Sequence, residues 1–185
     1  MQIFKHPLSD VQSTNIGKDT KIWQYVVILK DAIIGENCNI CSHCFIENDV
    51  KIGNNVTVKC GVFIWDGITV EDNVHIGPNV TFVNHNIHRS KVYPEEFDKI
   101  YIHEGASLGA NSTIKGGVNI GRYALVGAGS VVTKNIPDFT MWYGNPATFK
   151  AYICKCGQKV NESFTCKSCG LNYCLTDKGI IEKND

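Results

Sequence analysis

Stepping through the chain six residues at a time from Ile16 meets an aliphatic or aromatic side chain at twelve successive positions. They are Ile16, Ile22, Ile28, Ile34, Ile40, Ile46, Ile52, Val58, Ile64, Val70, Ile76 and Phe82. The register resumes at Ile102 and holds through Leu108, Ile114, Ile120, Val126 and Val132. Four residues after each hit runs a second series of small or β-branched residues, among them Thr20, Val26, Ala32, Cys38, Cys44, Val50, Val56, Val62, Ile68, Val74 and Val80. Between them stand Gly, Asn and Asp, as in Gly35-Glu36-Asn37 and Gly53-Asn54-Asn55, residues that enter tight turns at little cost. A period of six suits neither a helix nor a long alternating strand. It suits a very short strand and a turn, repeated, which is an all-β hexapeptide β-helix. The large residue of each hexad points inward and the small one fills the corner beside it. Each fully buried aliphatic contributes about 1.5–3 kcal/mol, so the eighteen hits make a sizeable core for a thin rod.

At 185 residues the chain is one ordinary domain, or one domain with a small appendage. Eighteen basic and eighteen acidic residues cancel, so no global basic field recruits nucleic acid. A chain that is 43% hydrophobic and 19% charged is not disordered. No apolar run approaches the roughly 20 residues that cross a bilayer, so no membrane partner is expected. Lys5, His6 and Pro7 occupy the place where a secretory leader would carry its apolar stretch. A cytoplasmic protein is expected. Nine cysteines in a reducing compartment then point to packing, metal or catalysis rather than to disulfides.

The hexads resemble those of the left-handed parallel β-helix in hexapeptide-repeat acyltransferases. In that family three hexads make one triangular coil of 18 residues. The resemblance implies four coils over residues 15–86, two over 101–136, and an insertion at a corner over residues 87–100. A long excursion from an uninterrupted solenoid usually has a purpose. Residues 18 apart then lie one strand spacing apart, about 4.8 Å. Asn48, Asp66 and Asn84 form a polar ladder, with Gly116 next over Asn84 and Gly117 over His85. Glycine there leaves space for another chain or a ligand. Trp65 takes an outward position on the same edge, suited to an interface or to substrate. Among the six histidines, His85, His88 and His103 lie near the insertion, while His43 and His75 occupy outward slots. His85 is the candidate general base by position. The γ-type carbonic anhydrases share the fold, but their paired-histidine spacing is not matched by His85 and His88.

The segment Val58-Lys59-Cys60-Gly61-Val62-Phe63-Ile64-Trp65-Asp66-Gly67 goes beyond a generic hexad, as does Glu71-Asp72-Asn73-Val74-His75-Ile76-Gly77-Pro78. With Asn84 and Arg89-Ser90-Lys91-Val92-Tyr93-Pro94, these segments resemble the nucleotide-sugar 3-N-acetyltransferases acting on dTDP-3-amino-3,6-dideoxyhexoses. A related branch acts on UDP-2-acetamido-3-amino-2,3-dideoxyglucuronate and supplies the alternative substrate. The resemblance covers about residues 1–150. It implies a homotrimer with acetyl-CoA in the groove between rods and a nucleotide-linked amino sugar as acceptor, in bacterial surface-polysaccharide (lipopolysaccharide O-antigen) synthesis. Asn84 is carried over as the group that orients the amine, with His85 as a candidate base. Where the family commonly has Asn-Asp and Phe-Pro-Arg, this chain has Asn84-His85 and Ile87-His88-Arg89. Trp65, Asp66, Arg89, Lys91 and Tyr93 are the candidates for holding the acceptor, Arg89 being suited to bidentate phosphate contacts. Val126-Gly127-Ala128-Gly129-Ser130-Val131-Val132-Thr133-Lys134 and Gly144-Asn145-Pro146-Ala147 match the family's cofactor-end motifs. Ala110, Gly127 and Ala128 would let pantetheine approach the backbone, Lys134 would meet a phosphate, and Asn145 and Pro146 complete the site. The alternative of another class is a non-catalytic β-helix scaffold, which would lack acyl-CoA binding.

The cysteines divide. Cys38, Cys41, Cys44 and Cys60 lie within the repeat, Cys38 and Cys44 on small inward positions, where they act as small hydrophobes. Five crowd into residues 154–174. Cys154-Lys155-Cys156-Gly157 and Cys166-Lys167-Ser168-Cys169-Gly170 resemble the two knuckles of a zinc ribbon, the first shortened to C-x-C. Cys154, Cys156, Cys166 and Cys169 are the candidate ligands of one structural zinc. The expected organisation is a β-helix domain over residues 1–150 and a Cys-rich, zinc-ribbon-like tail over residues 151–185.

Overall fold

The structure, a computed structural model, describes residues 2–176 and 179–183. It is a β-solenoid, with no helix among the described residues. Each hexad becomes a two- or three-residue strand and a turn, as in Val27–Ile28, Ile33–Ile34 and Asn39–Ile40. The six-residue hits form the core: Ile22, Ile28, Ile40, Ile46, Val58 and Ile64 are fully buried. Val26, Ala32, Cys38, Cys44, Val56 and Val62 of the second series join them. Ile16, the first hit, is only half-buried, because few coils stand beyond it to cover it.

The backbone closes a triangle every 18 residues. Phe45 pairs with Phe63 and Asn39 with Thr57, both in parallel register. Three parallel stacks result, of nine, seven and five strands, the nine-stranded one ending in an antiparallel pair. Two of the three corners need a left-handed residue in nearly every coil. One is built by Asp19, Asn37, Asn55, Asn73, Gly105 and Tyr123, the other by Tyr25, His43, Gly61, Asn79, Asn111 and Gly129. Asn, Asp and Gly tolerate that conformation best, which is why the spacers between hits have their composition.

The insertion begins and ends earlier than the repeat suggests. Ile68 pairs with Ile100 and Phe82 with Ile114, each 32 residues on rather than 18. Fourteen residues, 85–98, therefore leave the solenoid. Ile100 is fully buried and its N–H donates to Gly67 O at 3.2 Å, so residues 99 and 100 already belong to the next coil. The hits at Phe82 and Ile102 fix only the flanks of an excursion, and the corner between them has no large inward residue to mark its ends.

At the C-terminal end Thr140–Tyr143 pairs in parallel with Leu125–Val126, and the chain then reverses into Thr148–Tyr152. That strand runs across residues 150 and 151, so the tail continues the solenoid's last hairpin. Beyond it Tyr173–Thr176 pairs with Gly179–Glu182. A second small core of Phe139, Cys154, Cys166, Tyr173 and Ile180 lies apart from the solenoid's own. Within the solenoid, Ile64→Ala is expected to cost about 2–5 kcal/mol, since the flanking coils are tied by main-chain ladders and cannot collapse into the void. Urea unfolding with an unchanged slope checks it.

Candidate functional site

The corner between the seven- and five-stranded stacks carries the polar ladder. Asn48 Oδ1 accepts from the Asp31 N–H at 3.2 Å and Asp66 Oδ1 from the Asp49 N–H at 2.7 Å. Asn84 is turned the other way: its Nδ2 donates to Asp66 O at 2.9 Å. With Nδ2 directed at Asp66 O, the amide presents Oδ1, which has no hydrogen bond among the described residues, as an acceptor. The Glu47 carboxylate accepts from the Asp66 N–H at 2.7 Å. Burial raises the Glu47 carboxyl above the usual carboxylate range, against the pull of that N–H, and the neighbouring Asp66 charge pushes the same way as burial. A cleft of about 360 Å³ opens beside the ladder, lined by Asp49, Asp66, Gly67, Glu96, Phe97 and Lys99.

The excursion is pinned at its base by two residues the sequence reading missed. Asp98 Oδ2 accepts from Asn86 Nδ2 at 2.7 Å and from the Asn86 N–H at 3.2 Å. Asn86 Nδ2 also reaches Gly116 O at 3.1 Å, and the Asp98 N–H donates to Asn84 O at 2.8 Å. This corrects the expectation for the glycine pair. A Cβ on Gly116 would stand 2.6 Å from Asp98 Cβ and 2.8 Å from Val83 O, so the space it frees is taken by the loop's own base. Gly117 does not sit over His85, because the excursion starts at His85. Its N–H donates to Lys99 O at 3.0 Å, and it serves the turn with φ of 82°. The signal that could have found the clip is Gly116 itself, a glycine in a corner column that other coils fill with the side chains of Asn48, Asp66, Asn84 and Lys134.

His85 is half-buried and its carbonyl lies 3.0 Å from His88 Nδ1, the two rings 6.1 Å apart. Arg89 Nη1 donates to His88 O at 2.9 Å, and a bridge between Arg89 and Val92 closes the tip. Lys91, left-handed at the turn, and Tyr93 project into solvent. His103 is elsewhere: on the five-stranded face its Nδ1 meets Glu71 Oε1 at 3.0 Å. His75 lies on the nine-stranded face, and burial, then Lys59, lowers its pKa.

Trp65 is not the free outward ring the hexad position suggests. It is half-buried and its Nε1 donates to Phe82 O at 3.1 Å. The reason is aromatic packing: Phe45 and Phe63, outward and 18 apart, each hold their ring centroids 5.8 Å from it. Together with Tyr25 and His43 these rings line an apolar cleft of about 430 Å³. Only the faces of the rings are available to a ligand, since the indole N–H is spent.

Register connects the acceptor candidates to the cofactor candidates. Asn84 is followed in its column by Gly116 and then Lys134, from the pairings of Val83 with Lys115 and Ile114 with Val132. Two strand spacings, about 10 Å, therefore separate Asn84 from Lys134 along one edge. The Lys134 ammonium lies 5.3 Å over the Trp142 ring. Ala110 and Ala128 share the neighbouring corner, half-buried and exposed respectively. Gly127 departs from expectation: a Cβ there would meet Tyr143 Cβ at 2.6 Å, so its smallness admits the chain's own tyrosine. The Gly144-Asn145-Pro146-Ala147 turn is sewn to the last coil. The Val131 N–H donates to Gly144 O at 2.9 Å, and the Ala147 N–H donates to Val131 O at 2.8 Å. This leaves Asn145 and Pro146 exposed.

The two inward solenoid thiols, Cys38 and Cys44, are buried and inert. Cys38 donates to Gly53 O and Cys44 to Lys59 O, both at 3.1 Å, and burial pushes the Cys44 thiol up to about 12. In the tail, the Sγ atoms of Cys154, Cys156, Cys166 and Cys169 all lie within 4.8 Å of one another, a group that could hold a metal ion.

The family model described as bacterial transferase hexapeptide (six repeats) matches residues 13–48, 49–84 and 99–134. The stretch it omits, 85–98, is the excursion. Over 183 residues, 97% of this chain and 94% of the relative, the chain is 55% identical to dTDP-3-amino-3,6-dideoxy-α-D-galactopyranose 3-N-acetyltransferase of Aneurinibacillus thermoaerophilus. A hexapeptide-repeat acetyltransferase of Vibrio cholerae O1 biovar eltor, solved with acetyl coenzyme A, superimposes with a TM-score of 0.53 at 30% identity, over 60% of this chain and 64% of that one. PerB from Caulobacter crescentus, solved with CoA and GDP-perosamine, shares the fold at a TM-score of 0.50 and 24% identity, over 82% of this chain and 58% of that one.

Proposed function

The chain belongs to the bacterial hexapeptide-repeat transferases, and we propose that it moves the acetyl group of acetyl-CoA onto the 3-amino group of a dTDP-3-amino-3,6-dideoxyhexose. The observation that carries this reading is 55% identity over an alignment that spans 97% of this chain and so extends beyond the repeat. Repeats alone are shared by transferases of many acceptors, so likeness confined to them would name none. We assign the galacto sugar as acceptor and bacterial surface-polysaccharide synthesis as the setting. The reaction belongs in the cytoplasm, where acetyl-CoA is made. A free-thiol assay tests the assignment with acetyl-CoA and three acceptors: the dTDP-linked galacto amine, its gluco isomer and the UDP-linked uronate. The galacto substrate is expected to give the highest kcat/KM. A faster UDP-uronate would overturn the dTDP assignment.

The chemistry is attack of an amine lone pair on a thioester carbonyl, with the CoA thiolate leaving and the amine losing a proton. A neutral amine needs positioning more than it needs a strong base. Asn84 Oδ1, fixed by the bond from Nδ2 to Asp66 O, accepts one amine N–H and aims the lone pair. Asp66 and Glu47 supply negative charge that draws in the amine while it is still protonated. His85, at the root of the loop, takes the proton released afterwards. Arg89 and Lys91 meet the diphosphate and Tyr93 the base. The acceptor and the donor approach along one column, Asn84 at one end and Lys134 at the other.

Ala110, Ala128 and the turn at Asn145 and Pro146 border the pantetheine path, and Lys134 pairs with a CoA phosphate. Lys134→Ala is expected to raise KM for acetyl-CoA about 10-fold, the worth of one charge-assisted contact, with kcat nearly unchanged. Steady-state kinetics at saturating acceptor reads it, and an unchanged KM would remove Lys134 from the site. The active particle is a homotrimer, supported by the exposed outward apolar side chains Tyr25, Ile33 and Phe63. Light scattering should give three chains per particle.

A further inference from the structure

We propose that Cys154, Cys156, Cys166 and Cys169 hold one structural zinc ion, and that this ion fastens the cap closing the C-terminal end of the solenoid. Four thiolates at Zn–S distances of about 2.3 Å form a tetrahedron with edges near 3.8 Å. Here the Cys154–Cys169 and Cys156–Cys166 sulfurs are 3.4 and 3.5 Å apart, and all four lie within 4.8 Å. A disulfide needs about 2.05 Å, and all nine cysteines are free.

The two segments are built as knuckles. Gly157 and Gly170 each follow the second cysteine of their pair and are left-handed, with φ of 83° and 78°. Nothing lies within 4 Å of where a Cβ would stand on either. Their glycines are therefore there for the turn and not for space. The Cys154 and Cys166 side chains are fully enclosed. A soft all-sulfur tetrahedral set remote from the ladder at Asn84 suits redox-inert zinc in a closed, structural site.

The cap reaches the solenoid through the ligands. Tyr173 OH donates to Cys154 Sγ at 3.1 Å and accepts from the Lys155 N–H at 3.1 Å. Its ring packs on Phe139 at 5.6 Å, and Phe139 stacks on Tyr123 at 5.3 Å. Tyr123 is a corner residue of the last full coil, and its OH donates to Glu104 at 3.1 Å. On the other side Phe164 packs on Tyr152, and Tyr152 on Phe149, within the terminal hairpin. Lys155 forms an ion pair with Glu182. With only five buried residues in its hydrophobic cluster among the described residues, this cap is too small to hold its shape by burial alone. The ion supplies the missing cross-link.

The test uses the untagged full chain, purified without chelator. Elemental analysis should find about one zinc per chain. Titration with an organomercurial should release it to a zinc-sensitive dye as the ligand thiols react. Stripping should lower the thermal midpoint by roughly 10 °C, and added zinc but not magnesium should restore it. Cys169→Ser, at an exposed ligand, should lose the zinc. If that variant does not fold, the stripping and readdition series on the unmodified chain decides alone. Less than a tenth of a zinc per chain even after incubation with zinc overturns the site, and so does iron in its place. Zinc that leaves without moving the midpoint overturns the fastening role. None of these readouts involves acetyl transfer, so failure here and failure of the proposed reaction are separate events.

Discussion

Asn84→Ala is expected to lower kcat/KM for the amino sugar about 100-fold or more while the thermal midpoint falls by only a few degrees. The two numbers separate its two bonds. To the protein, the side chain gives one hydrogen bond, Nδ2 to Asp66 O. Losing it costs about 0.5–1.5 kcal/mol, which is about 2–4 °C per kcal/mol for a chain of this size. To the proposed reaction it would give an aimed acceptor, and misplacing a nucleophile by an ångström is worth about 100-fold. Asn84→Asp sharpens the point. It keeps an acceptor but turns the donor to Asp66 O into a second acceptor, so it should lose activity and gain no stability. His85→Ala should cost about 10-fold at most, because the proton leaves after attack and water reaches a half-buried site. A full-activity Asn84→Ala beside an inactive His85→Ala would reverse the assignment. Acceptor kinetics with thermal melts on the three variants decides it.

The solenoid was legible in the sequence because its cause is local. A buried residue at every sixth position and a left-handed residue at two corners per coil write themselves into the chain as a period, from Ile22 to Val132. The ladder of Asn48, Asp66 and Asn84 was legible for the same reason, since a constant 18-residue coil turns stacking into arithmetic. Contacts that break the period were not. The clip between Asn86 and Asp98 joins the two ends of an excursion, and neither residue repeats at any interval. Gly127 and Gly116 read as openings because a missing side chain says that space is needed. It does not say that Tyr143 and Asp98 of the same chain fill it. Trp65 read as free because periodicity gives only inside and outside. Its half-burial depends on Phe45 and Phe63 flattening against it and on Phe82 O lying within reach of its N–H. The four tail cysteines were legible by knuckle spacing, and their convergence is a matter of the Gly157 and Gly170 turns.

Gly116→Ala is expected to cut kcat/KM for the amino sugar about 100-fold and to leave KM for acetyl-CoA within about 2-fold. The new methyl would stand 2.8 Å from Val83 O and 2.6 Å from Asp98 Cβ. Val83 belongs to the strand Thr81–Val83, paired with Thr113–Lys115, and does not give way. Asp98 is held by side-chain bonds to Asn86 and one main-chain bond to Asn84, so it is the part that moves. Its displacement opens the clip and swings Arg89, Lys91 and Tyr93 out of register with Asn84. The cofactor end proposed for Lys134 lies beyond Gly116 and keeps its own turn at Gly144, so acetyl-CoA binding is expected to be spared. Asp98→Ala removes the same clip from the other side and should cost about 10-fold, the loop then closing more slowly but without a clash. If both act through the clip, the double variant will be no worse than Gly116→Ala alone, a coupling of about 1 kcal/mol or more. Additive losses would mean that the glycine and the aspartate serve separate purposes, and that the loop is held to the solenoid by something other than Asn86.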